Sequence, residues 1–146
     1  VRYRYDEVRP TDYLAGWINH LFLCAAAPAD VSLQTTWHSR DGSYRLRACE
    51  SSVARAHLGE LLRLYRSGLS APLHFFPKSA WAYITDGPAA ARRRWTHSRN
   101  AAWGESADAA YRLALRGVAE PLDGDFEQCA RTVFAPLLDH LEESRR

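Results

Sequence analysis

Apolar and charged residues alternate along VRYRYDEV, with Val1, Tyr3 and Tyr5 set against Arg2, Arg4 and Asp6. This period of two predicts a strand over residues 1–8 with one wet face, closed by Pro10. The period then lengthens. Leu14, Trp17, Ile18, Leu21, Phe22 and Ala25 follow the i, i+3, i+4, i+7 spacing of an amphipathic helix, capped by Thr11 or Asp12 and ended by Pro28. Beyond it, Leu33, Thr35 and Trp37 alternate with Gln34, Thr36 and His38. Tyr44, Leu46 and Ala48 return opposite Arg45 and Arg47. Asp41-Gly42 between these runs predicts a hairpin turn.

A second helix is predicted from Ser51 or Ser52, with Leu58, Leu61, Leu62 and Tyr65 facing inward and Gly68 at its stop. LHFF at 73–76, bounded by Pro72 and Pro77, reads as a short buried strand. Ser79 starts a helical turn carrying Trp81 and Tyr83, broken by Asp86-Gly87-Pro88. The second half reads as helical. Residues 89–103 hold the cluster RRRWTHSR, and Ser106 is expected to cap a helix ending at Gly117. A last helix from Asp123 or Asp125 carries Phe126, Cys129, Ala130, Val133, Phe134, Leu137, Leu138 and Leu141 inward. Pro136 is expected to kink or divide it. No repeat or low-complexity tract interrupts the chain. The order β-α-β-β-α-β and then helices predicts an α/β (α+β) fold over residues 1–146 as a single domain. Its expected form is a small mixed sheet with flanking helices and a helical C-terminal half.

Composition adds a few constraints. The 146 residues, 47% of them hydrophobic, suffice for a core. There is no methionine and the first residue already reads as mid-strand, so a piece of a longer polypeptide is expected, with the rest of that chain among its partners. Eighteen arginines stand against one lysine, Lys78, leaving a single candidate for any chemistry that needs a catalytic lysine. A net charge of +2 is too small to announce a nucleic-acid binder. Cys24, Cys49 and Cys129 form no C-x-x-C. Cys24 and Cys129 fall at apolar helical positions, as buried free thiols of a reducing cytoplasm would. The longest apolar run, LFLCAAAPA at 21–29, is too short to span a bilayer, and no membrane partner or signal peptide is expected.

Most chemistries find no support in the residues. The histidines at 20, 38, 57, 74, 97 and 140 show no H-x-H, H-E-x-x-H or H-x₃₋₅-H spacing and read as surface or satisfied core groups. A G-x-S-x-G elbow and a Gly-rich phosphate cradle are both absent. Mg²⁺-dependent phosphodiester cleavage is the serious candidate, since it needs hard oxygen ligands and a lysine to orient water. Asp6 and Glu7 supply candidate metal ligands, but Val8 stands where an acid-x-Lys motif needs its lysine. A solvated or arginine-paired role for both acids is therefore favoured. Residues 87–104 contain no acid and interleave Arg92, Arg93, Arg94 and Arg99 with Trp95, His97 and Trp103. Arg92, Arg93, Arg94, Trp95 and Arg99 are the candidate DNA contacts. The competing reading is a solvated helix face with Trp95 and Trp103 in the core.

Taken in order, DYLAGWINHLFLCAAA, LLRLYRSGLSAPLHFFPKSAWAYI, GESADAAYRLALRG and FEQCARTVFAPLLDHL resemble the C-terminal end of the gamma chain of bacterial exodeoxyribonuclease V, the RecC type. The resemblance implies a partial restriction-endonuclease-like (PD-(D/E)xK-type) fold without nuclease activity. It sets VRYRYDEV on the Asp-x-Lys strand of active relatives, with Asp6 at the acid and Val8 replacing the lysine. It sets Tyr13-Leu14-Ala15-Gly16-Trp17 on their Gln-x-x-x-Tyr helix, here without the glutamine. The implied role is a non-catalytic scaffold of a bacterial, cytoplasmic helicase-nuclease that repairs double-strand breaks by recombination. Implied partners are the beta and alpha subunits (RecB and RecD type), the rest of the chain, and DNA through the complex, with no cofactor. A divergent Mg²⁺-dependent nuclease, or a stand-alone DNA-binding module using Arg92–Arg99, are the alternatives.

Overall fold

The computed structural model describes residues 2–3, 5–96 and 104–145. The fold is mixed α/β, and the chain forms two compact units, Val1–Leu62 with Ala135–Arg146, and Arg63–Phe134. Among the described residues no helix is long and apolar enough to cross a membrane.

The first unit carries the sheet. Strand β1 (Arg2–Tyr3) runs parallel to β2 (Thr35–Ser39), which pairs antiparallel with β3 (Gly42–Leu46). Strand β4 (Leu141–Arg145) completes the order β1-β2-β3-β4, antiparallel to β3. The expected strand over 1–8 is thus far shorter, and residues 5–9 have left the ladder. The hairpin is where the alternation places it, with one shift. Ser39 pairs with Gly42, so Arg40-Asp41 form the turn and Gly42 opens β3. The Asp41 carboxylate fastens that turn by accepting from the hydroxyls of Ser39 and Tyr44. Leu141, expected at the end of the last helix, instead begins β4, where Glu142 faces Arg45 across the ladder.

Helix α1 (Pro10–Ala26) begins one residue before the expected caps. Pro10 is its first residue, a position where the missing N–H costs nothing, and Asp12 accepts from the Arg9 N–H at 2.8 Å. Its buried face is Tyr13, Gly16, Trp17, His20, Leu21 and Cys24, rotated from the expected stripe, so that Phe22 is 62% exposed. Gly16 lets this face close onto β2, because a Cβ there would lie 3.3 Å from the Trp37 ring. Tyr13 meets Trp37 and Tyr44 edge-on, and those two stack across the hairpin with centroids 5.4 Å apart. The carbonyl of Ala25, near the C-terminus of α1, accepts from Ser51 Oγ and Arg55 Nη2, so Ser51 bonds to α1.

Helix α2 (Ser51–Gly68) departs from its expected packing. Ala54 is buried and Leu58 and Leu61 half-buried, but Leu62 and Tyr65 are 57% and 63% exposed, as is Leu69 just beyond at 70%. Gly68 lies within the helix and not past it.

The second unit is helical: α3 (Pro77–Asp86), α4 (Pro88–Trp95), a short 3₁₀ turn (Glu105–Ala107), α5 (Ala109–Ala114) and the larger part of α6 (Gly124–His140). LHFF at 73–76 pairs with no strand. Of its four residues Phe76 is buried, enclosed by the rings of Trp95, Tyr111 and Phe126, while Leu73, His74 and Phe75 are half-buried. Phe76 is extended and Pro77 starts α3, so the apolar run is the lead-in to a helix. Gly87, at φ 86°, makes the break between α3 and α4. Asp108, not Ser106, caps α5, accepting from the Ala110 N–H at 2.8 Å. Asp123 caps α6 through the Phe126 N–H at 3.0 Å and holds His74 Nδ1 at 2.9 Å. Burial alone would raise the Asp123 carboxyl, but these donors hold it below its ordinary value. Helix α6 runs from Gly124 to His140 undivided at Pro136.

Candidate functional site

The acids singled out in the sequence sit in the bend between β1 and α1. Asp6 Oδ2 lies 3.0 Å from Arg9 Nη2, and its Oδ1 is 3.9 Å from Arg40 Nη2. Glu7 Oε1 accepts from that same Arg40 nitrogen at 2.7 Å. The Arg40 guanidinium is held above its ordinary value, chiefly by this bond to Glu7. The backbone is tied as well. Arg40 N–H donates to the Asp6 carbonyl at 3.3 Å, and Val8 N–H donates to Asp41 Oδ1 at 3.2 Å. Asp41 loses stability as an anion by burial, yet the donors from Ser39, Tyr44 and Val8 leave its carboxyl below the ordinary range.

This arrangement determines what the acids can do. Both Asp6 and Glu7 are more than half exposed, and each faces a guanidinium. A hard divalent cation needs several converging oxygens. Among the described residues no three carboxylates approach one another closely enough to hold one. Lys78 belongs to the second unit, at the second position of α3. In the window Tyr13-Leu14-Ala15-Gly16-Trp17, the buried residues Tyr13, Gly16 and Trp17 form the packed face of α1.

The arginine cluster is on α4. Arg92, Arg93 and Arg94 are exposed in its last turn, where positive charge complements the helix dipole. Arg92 pairs with Glu120 at 3.3 Å, while Arg93 and Arg94 line a shallow depression with Asp86. Trp95 is half-buried and leans on Phe76, centroids 4.2 Å apart. Arg99, His97 and Trp103 lie outside the described residues.

One constellation matches no sequence motif. His20 and Cys24, buried one turn apart on α1, meet Cys49 from the segment after β3, with their ligand atoms all within 4.8 Å. The available signal was His-x-x-x-Cys, a spacing that puts both side chains on one helix face. Burial keeps the His20 imidazole below its ordinary value, and burial together with the neighbouring Cys24 pushes the Cys49 thiol up to about 11. The other described histidines have partners of their own: His38 with Ser43, His74 with Asp123, His57 beside Trp17, and His140 with the Pro136 carbonyl.

Compared with known proteins, the chain finds no match among curated sequences. A family model does match, that of the RecC C-terminal domain, over residues 1–88, from β1 through α3. That stretch includes the hairpin, α1 and the Asp6-Glu7-Val8 bend described above, and on this ground the chain belongs to the RecC C-terminal domain family.

Proposed function

We propose that the chain is a catalytically inactive, restriction-endonuclease-like interaction domain of a RecC-type subunit, helping to hold a helicase-nuclease together in the repair of double-strand breaks by recombination. Membership of the RecC C-terminal domain family carries an exodeoxyribonuclease V (RecBCD) context, and with it DNA repair. The observation that carries the inactive reading is the bend itself. Asp6 and Glu7 are engaged by Arg9 and Arg40, and Val8 occupies the lysine position of the resemblance. An arginine already neutralises the charge that a metal would need, and no side chain at position 8 can orient a water.

The interaction role is supported by α2. Leu62, Tyr65 and Leu69 recur at intervals of three and four, so one helical face and its continuation carry apolar side chains toward solvent. The beta and alpha subunits and the rest of the same polypeptide are the proposed occupants of such surfaces. The test of inactivity is cleavage of linear duplex and single-stranded DNA by the purified chain with Mg²⁺ or Mn²⁺. Cleavage that Asp6→Ala abolishes would overturn the proposal. The test of the surface is co-purification with the beta and alpha subunits. Leu62→Asp with Tyr65→Asp should weaken capture while leaving the fold intact, and undiminished capture would remove α2 from the contact.

A second reading, direct DNA contact by α4, is favoured by the exposure of Arg92, Arg93 and Arg94. Neutralising the three should flatten the salt dependence of DNA binding, each lost phosphate contact reducing the slope by roughly 0.7–0.9. An unchanged slope assigns these arginines to the solvated face of α4.

A further inference from the structure

We propose that His20, Cys24 and Cys49 form a zinc site, independent of the nuclease-like bend and of the subunit-contact reading. Cys24 Sγ lies 3.4 Å from His20 Nε2, and all three donor atoms fall within 4.8 Å of one another. A tetrahedral zinc with bonds of about 2.3 Å to sulfur and about 2.0–2.1 Å to nitrogen separates such donors by roughly 3.5 Å (S···N) and 3.8 Å (S···S). The His20–Cys24 distance already matches that spacing, so small adjustments of side chains complete the site.

The surroundings suit the ion. His20 Nδ1 lies 3.1 Å from Thr35 Oγ1, so with zinc on Nε2 the Nδ1–H donates to the threonine and fixes the ring. Without metal the tautomer is the reverse: Nε2–H donates to the Arg47 carbonyl at 2.9 Å, and the Thr35 hydroxyl donates to Nδ1. Because the Arg47 carbonyl lies 2.9 Å from Nε2, metallation replaces that hydrogen bond and turns the ring off the carbonyl, and a water supplies the fourth ligand. Binding releases two protons, one from each thiol, and leaves His20 neutral. Two thiolates, one imidazole and Zn²⁺ sum to zero charge, which suits a site whose His20 and Cys24 are fully buried. Thiolate sulfur selects zinc over Mg²⁺ or Ca²⁺, and the half-buried Cys49 gives the ion a way in. A site here would clip the segment after β3 to the buried face of α1, where no other covalent link exists among the described residues.

The test uses the whole chain, purified under reducing conditions. Zinc is expected in stoichiometric amount by elemental analysis, and cobalt substitution should give the near-ultraviolet thiolate-to-cobalt band with the intense visible bands of a tetrahedral centre. Cys49→Ser should weaken the charge-transfer band and lower cobalt affinity by at least tenfold, whereas Cys129→Ser should leave both unchanged. Because Cys24→Ser could simply misfold, thiol labelling of the unmodified chain supplies a second readout. Cys49 should react with a thiol reagent many-fold faster after a strong chelator removes the metal. An octahedral cobalt spectrum, a charge-transfer band indifferent to Cys49→Ser, or labelling indifferent to the chelator would each overturn the site. A Cys24–Cys49 disulfide recovered from the reduced preparation would do the same.

Discussion

Replacing Glu105 should destabilise the second unit more than any other single change to an acidic residue there. Its side chain is buried, 7% exposed, and serves as the remote cap of α3. Oε1 accepts from the Lys78 N–H at 3.1 Å, and Oε2 accepts from both the N–H and the hydroxyl of Ser79 at 2.8 Å. Those are the second and third residues of α3, whose own cap position is Phe76 and makes no side-chain capping bond. Charge-assisted hydrogen bonds contribute about 1.5–3 kcal/mol each, and water entering the gap would recover part of the loss. Glu105→Ala should therefore cost about 3–5 kcal/mol, and Glu105→Gln, which keeps one acceptor but turns an NH₂ toward Ser79, about 1–3 kcal/mol. With a urea m-value of roughly 2 kcal/mol/M, the alanine variant shifts the midpoint by about 2 M. Hydrogen exchange locates the effect, because the Lys78 and Ser79 amides should lose protection first. Asp108→Ala is the control: an exposed local cap with one bond, expected to cost about 0.5–1 kcal/mol. If Glu105→Ala costs no more than that control, with both amides still protected, the capping argument fails.

Three further outcomes follow from the same contacts. Asp41 and Asp123 have carboxyls held below their ordinary value, so between that value and the folded one the unfolded chain binds more protons. Their contribution is complete above the ordinary carboxylate range and is lost as pH falls through the depressed values; Asp123→Asn should flatten the acid limb of a stability-versus-pH curve and lower stability at neutral pH. Gly16→Ala should be nearly neutral, since about 1 kcal/mol of helix propensity is set against a 3.3 Å approach to Trp37, whereas Gly16→Val should cost about 1–3 kcal/mol in thermal or urea unfolding. Val8→Lys alone should leave DNA cleavage undetectable in a Mg²⁺ assay, because Arg9 and Arg40 still engage the two acids; cleavage by that variant would refute the argument that these arginines keep the acids from a metal.

What could be read in advance follows the range of the forces involved. The hairpin and most helices are local, set by periodicity and by Pro10, Gly87 and Pro88, and the sequence predicts them to within a few residues. Leu62 and Tyr65 mislead because periodicity reports which face of a helix is apolar and says nothing of what covers it. LHFF is legible as partly buried but not as helix lead-in, since a ladder depends on a partner strand that no local pattern names. β4 is illegible for the converse reason: LEESR has no β-branched residue, and the open edge of β3 supplies the pairing. Glu105 caps amides 26 and 27 positions away, and Cys49 reaches a histidine three elements earlier. Neither relation leaves a motif.

An acidic pair at the start of a helix resembles metal chemistry in one dimension, where Asp6-Glu7 stand side by side and their counter-charges are invisible. In three dimensions the hairpin turn supplies Arg40 from 33 residues away, and it supplies Asp41, which takes the amide of Val8. The hairpin turn thereby fastens the entry to α1. The acids therefore serve best as counter-charges that seat Arg9 and Arg40. Val8 offers no group to orient a water, and both acids already face guanidinium groups. The contacts of this bend are structural ones, and they hold the hairpin turn against the entry to α1.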